Sequence, residues 1–170
     1  MTDIVEFVAR GVLIGAGAAA LMDVWALSAR RAFNIQGLDY ALLGRWIGHF
    51  RRGRFFHERI ASSSVIRGER PLGWVAHYAI GIAFAFLLLL VWGLDWARSP
   101  TIWPAMVVGL GTIVAPWFVL QPGMGAGIAA ARTPNPGAAR LRNLATHTVY
   151  GIGLFVSAVA LSILWVYQRV

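Results

Sequence analysis

Four stretches of this chain stay apolar for about twenty residues each, and most polar residues gather between them. The first runs from Phe7 to Ala29 and ends at Arg30 and Arg31; the second follows Pro71 from Leu72 to Trp92. The third starts after Pro100, covering 102–121, and the fourth covers Leu144 to Val166. At 1.5 Å per residue, about 20 residues of helix cross a hydrocarbon core of about 30 Å. The expected fold class is therefore all-α: an integral membrane protein with four transmembrane helices in a single membrane domain, 1–170. Asp3 and Glu6 precede Arg10 without a basic leader, so no cleaved signal peptide is expected.

Inside the spans, small and polar residues share faces. Gly11, Gly15, Ala19 and Asp23 recur every fourth residue, which puts one carboxylate in line with positions that let another helix approach. Gly73, His77, Gly81 and Ala85 form a similar stripe, and His147 lies one turn before Gly151. His77 to Phe84 and His147 to Leu154 share a His, a Gly four residues on and then an Ile. Spans one and three share Gly-x-Gly at Gly15/Gly17 and Gly109/Gly111. One reading is two repeated helical hairpins about an axis along the membrane normal; the other is coincidence among common membrane residues.

The connection over 30–71 is too long to be plain linkage. Leu38, Leu42, Trp46, Ile47 and Phe50 recur at helical spacing, which predicts an amphipathic helix lying along the interface. It leads into Arg51, Arg52, Arg54 and Arg59 interleaved with Phe55 and Phe56, guanidinium groups for lipid phosphates and rings for the headgroup layer. The alternative is a solvated basic loop that only sets topology. After the third span, Pro116 and Pro122 should kink or break the helix, and non-helical backbone at that depth belongs inside protein or around a cavity. Thr133 to Gly137 reads as a turn. Trp92, Trp96, Trp103, Trp165 and Tyr167 are expected at the headgroups.

Composition agrees: at 58% hydrophobic and 13% charged, a soluble domain would expose far too much apolar surface. Without cysteine there is no disulfide, thiolate metal site or thiol redox chemistry. All 15 basic residues are arginine and the net charge is +8, yet no nucleic-acid motif accompanies them. The expected partners are the bilayer and anionic lipid headgroups, with a second copy or a larger membrane complex as a further possibility, and no nucleic acid. Arginines crowd 30–71, and Arg132, Arg140 and Arg142 follow the third span; Arg98 alone separates the second and third. The crowded side is expected to be cytoplasmic, with both termini outside.

The polar groups collect on that side. By helical rise Asp23 lies about 10 Å inside its span, His77 about 9 Å and His147 about 8 Å. Gln121 ends the third span at the same level. Asp23, His77, His147 and Gln121 are thus a candidate polar cluster lining a pocket, with His49 and His57 at its cytoplasmic mouth. An ionised carboxylate facing lipid is costly, so Asp23 should pair, protonate or line water. The leading reading is a small-molecule or proton-linked binding or transport protein. The rival is a structural or accessory subunit whose polar groups merely satisfy each other. A metal at Asp23, His77 and His147, a haem between the two histidines, and a lipid- or quinone-active enzyme come after these. No motif requires a cofactor, none fixes a reaction, and no catalytic residue is assigned.

Several stretches also share a family pattern: Met22-Asp23-Val24-Trp25, Gly44-Arg45-Trp46-Ile47-Gly48-His49, Gly53-Arg54-Phe55-Phe56-His57, Gly73-Trp74-Val75-Ala76-His77-Tyr78, Gln121-Pro122-Gly123-Met124-Gly125 and Arg132-Thr133-Pro134-Asn135-Pro136. Together they resemble a family of small bacterial inner-membrane proteins catalogued as domain of unknown function 2938, over nearly the whole chain. The resemblance implies a bacterial multi-pass inner-membrane protein and carries over no activity and no functional residue.

Overall fold

Three of the four apolar runs become helices longer than the runs themselves, and the third is divided, in the computed structural model, which describes residues 2–167 and their side chains as far as Leu164. The helices are α1 (Asp3–Phe33), α2 (Tyr40–His49), α3 (Glu69–Arg98), α4 (Ile102–Gly111), α5 (Gln121–Met124) and α6 (Pro136–Tyr167). A π-helical turn over Pro116–Leu120 joins α4 to α5. No strand occurs among the described residues. Four segments, Asp3–Phe33, Glu69–Arg98, Ile102–Met124 and Pro136–Leu164, are long and apolar enough to cross a membrane.

Polar ends account for the extra length. Asp3 and Glu6 occupy the first turn of α1, and Arg30 and Arg31 its last, both favourable to the helix dipole. Asn34 then closes the helix at φ 55, with its N–H on the Ala29 and Arg30 carbonyls. In α3 the apolar run ends at Trp92, and Gly93 (φ 76) breaks the helical geometry there before the chain coils on to Arg98. The turn expected through Gly137 stops earlier, because Asn135 Oδ1 accepts from Ala138 N at 3.1 Å and Pro136 opens α6. Arg140 and Arg142 consequently sit on a helix, not in a loop.

The small-residue stripes are where helices meet. α1 packs with one face on α3 and the other on α6. A Cβ on Gly15 would lie 2.5 Å from Ile82 Cα, and one on Gly153 2.9 Å from Ala18 Cα. In the other hairpin Gly109 meets the Gly151 backbone as closely. Gly15 with Gly81–Ile82 and Gly109 with Gly151 are the positions that the internal sequence match aligns, so each hairpin is clamped at equivalent points. The seams between hairpins differ. α1 packs along α6, whereas α4 barely touches α3 and the gap between them stays open. At the N-terminal end, buried Glu6 and Arg10 pair at 2.8 Å, Arg98 reaches Glu6 at 2.8 Å, and Arg10 donates to the Ala97 carbonyl at 2.6 Å.

α2 does more than rest on an interface. Gly44 lies against the Glu69 carbonyl and Gly73 against that of Tyr40, so α2 is locked onto the start of α3 with no room for a methyl group. Arg45 closes the following loop, with two 2.8 Å bonds to Glu69 and one of 3.0 Å to the Ala61 carbonyl. Trp92 and Trp103 are exposed, but Trp96 is packed in the core and donates to the Thr101 carbonyl at 3.0 Å, which removes it from the headgroup set. The Trp165 and Tyr167 side chains lie outside the described residues.

Candidate functional site

Asp23 of α1 is gripped from two other helices. Tyr40 of α2 donates its phenolic hydrogen to Oδ1 at 2.8 Å, and Tyr78 of α3 donates to Oδ2 at 3.0 Å. His77 Nε2 lies 3.2 Å from Oδ1 and 3.1 Å from the Tyr40 oxygen. The Tyr40 ring stacks on His77 with centroids 4.4 Å apart, and Trp74 meets Tyr40 edge-on at 4.5 Å. Burial, and then the bond to the Asp23 carboxylate, push the Tyr40 phenol well above the ordinary tyrosine value. Asp23 keeps 20% of its side chain exposed, so the cluster is solvent-reachable and not sealed.

The other expected members are held elsewhere. His147 Nδ1 lies 3.1 Å from the Gly109 carbonyl and 3.2 Å from Thr112 Oγ1, so it ties α6 to the frayed end of α4 and does not meet Asp23. Gln121 Nε2 donates to Asn143 Oδ1 at 2.7 Å in the orientation that satisfies both polar atoms of the Asn143 amide. Its own Oε1 is buried without a partner. The proline-broken stretch behaves as its composition suggests: after α5 the backbone is irregular, with Gly125 (φ 94), Gly127 (φ 75), Ala129 (φ 47) and Ala130 (φ 61) all left-handed. The described residues contain no group of three or more His, Asp or Glu able to hold a metal.

All four expected cluster residues nevertheless line one cavity of about 970 Å³, built by α1, α2, α3, the broken third span and α6. Ile80, Phe84, Val119 and Leu120 form its apolar walls, and Arg30, Arg70 and Arg142 stand at its arginine-rich edge. His49 and His57 are not among its lining residues. Fully buried His49 joins His57 through Nδ1 and Nε2 at 2.7 Å, while the His57 backbone N–H donates to the Gly123 carbonyl at 2.9 Å. The two histidines thus fasten the loop to the broken helix. Arg51, Arg52, Arg54 and Arg59 are exposed beside Phe55 and Phe56, themselves 50% and 77% exposed.

Tyr40, Tyr78 and the three edge arginines escaped the sequence reading as site residues. Tyr78 adjoins His77, a hint that was there to use. Tyr40 lies four residues before Gly44, the same helical spacing that marks the contact stripes of α1 and α3.

Residues 12–161 match the model of the family described as Protein of unknown function (DUF2938). The match covers most of the chain, which belongs to that family. No curated protein and no solved structure is matched.

Proposed function

We propose that this member of the family is a bacterial inner-membrane binding protein of the transport type, whose cavity takes a small molecule from the cytoplasmic side. The observation that carries the reading is the cavity itself: about 970 Å³, at the upper end of ordinary ligand sites, with apolar walls and a few converging polar groups. In this orientation the arginine-rich end faces the cytoplasm and both termini face outward, as the loop arginines favour. The exposed Arg51, Arg52, Arg54 and Arg59 beside Phe55 and Phe56 then contact lipid phosphates.

The Asp23–His77 pair supplies the proton chemistry. An acid and an imidazole 3.2 Å apart, bridged by one phenol, share or release a proton when a ligand changes their surroundings. The test is mass spectrometry of small molecules carried through purification by wild type, Asp23→Asn and His77→Ala. Wild type should retain a molecule that both variants lose at least about tenfold, a difference of roughly 1.4 kcal/mol, while helicity and monodispersity are unchanged. Equal retention in all three ends the pocket reading. Loss of a co-purifying protein instead favours the accessory-subunit role.

A further inference from the structure

The cavity is lined by more arginines than the two carboxylates, Asp23 and Asp39, that share it. Arg30 from α1, Arg70 from α3 and Arg142 from α6 line it, and among the described residues none of the three forms a salt bridge. Arg10, Arg45 and Arg98 are by contrast each committed to a carboxylate. Two acids line the same cavity, and both are engaged. Asp39 Oδ1 accepts from Ala41 N at 2.9 Å, and Asp23 is held by Tyr40, Tyr78 and His77. Guanidinium groups brought to one cavity by three helices suit a phosphate, which they bind through paired N–H donors better than they bind a singly charged head.

A second hollow adjoins the cavity. It measures about 320 Å³ and follows the open seam between α3 and the third span, between walls that include Leu87, Val91, Trp92, Val107 and Val114. It shares Phe84 and Ala115 with the main cavity. Its one hydroxyl, that of Thr112, is already spent on the Gly109 carbonyl at 2.9 Å. From Arg70 to Trp92 the helix rises about 33 Å at 1.5 Å per residue, so the two hollows together run through most of a bilayer. A water-soluble ligand has no use for an apolar slot that opens toward lipid.

We infer that the ligand is a phosphate-headed lipid with one long hydrocarbon chain, its head at Arg30, Arg70 and Arg142 and its chain led past Phe84 into the slot beside Gly111. The inference rests on the cavity reading above and adds the class of ligand. Gly111 gives a direct handle, because a Cβ placed there meets no atom within 4 Å. Gly111→Trp therefore adds bulk at the slot with no clash at its Cβ, and Gly111→Leu serves should the larger variant not fold.

The protein in nanodiscs of neutral phosphatidylcholine is exposed to hexadecyl phosphate, octyl phosphate, hexadecanol or inorganic phosphate, and native mass spectrometry counts the adducts. Wild type should take up one hexadecyl phosphate. The triple variant Arg30→Gln/Arg70→Gln/Arg142→Gln should bind it at least about tenfold more weakly. Gly111→Trp should weaken hexadecyl phosphate about fivefold or more and leave octyl phosphate unchanged. Equal uptake of hexadecanol, competition by inorganic phosphate at the lipid's own concentration, or indifference to either variant overturns the inference. If wild type retains an endogenous molecule that Asp23→Asn loses but takes up no hexadecyl phosphate, this inference fails and the cavity reading stands. If it retains neither, both fail.

Discussion

Tyr40 sits between Asp23 and His77 and belongs to a helix outside the membrane spans, so the site depends on a residue that hydropathy does not point to. Tyr40→Phe keeps the ring on His77 and deletes one hydrogen bond to a carboxylate, a loss of about 1.5–3 kcal/mol. Ligand retention should fall, though less than in Asp23→Asn. The phenol also sets a pH dependence. Its folded value is raised, so its contribution to stability is complete below the ordinary value of about 10 and is lost as pH climbs from there toward the raised one. Thermal unfolding between pH 8 and 11.5 should show wild type weakening above about pH 10, and Tyr40→Phe should lack that part of the decline. At this scale the sequence was a fair guide to which polar residues line one cavity but a poor one to their partners. Asp23 and His77 meet because each lies on a small-residue stripe. His147 lines the same cavity, but its ring is taken by the Gly109 carbonyl that the break in α4 leaves free.

Elements were legible wherever hydropathy alone decides them, as with the four apolar runs and the prolines of the third span. The docking of α2 was not, because its amphipathy says only that one side is buried and not against what. That information lies in Gly44 and Gly73, whose meeting appears only once both helices exist. Gly73→Ala puts a methyl group onto the Tyr40 backbone and should cost about 1–3 kcal/mol or more, since backbone cannot step aside as a side chain can. Gly37→Ala is the control, for its nearest neighbour would be an ordinary 3.7 Å contact with Ala26. Midpoints of thermal unfolding in detergent should drop for the first and stay within about a degree for the second. If Gly73→Ala leaves both midpoint and ligand retention unchanged, α2 is not fixed by this crossing.

On the scale of the whole molecule, the proposed orientation rests on charge, and packing gives the shape. Because the chain has no cysteine, single cysteines report topology without background. Arg54→Cys should react with a membrane-impermeant maleimide only after the cytoplasmic side is opened, and Ser99→Cys in intact spheroplasts. The opposite labelling pattern inverts the proposed orientation. The Glu6–Arg10–Arg98 network went unread in the sequence because its members stand 92 residues apart at the widest bond and look like ordinary flanking charges. The two hairpins were visible as a short repeat, but their unequal seams were not, since helices of similar sequence pack differently when one carries prolines and the other does not. That inequality has a mechanical consequence. Each hairpin is pinned internally by its glycine pair and the two meet most extensively along α1 and α6, with lesser ties from Tyr150 to the Gly81 carbonyl and from the His57 backbone to the Gly123 carbonyl. Rotation about the α1–α6 line would widen the far side only by stretching those two ties, which makes them the latch of the molecule.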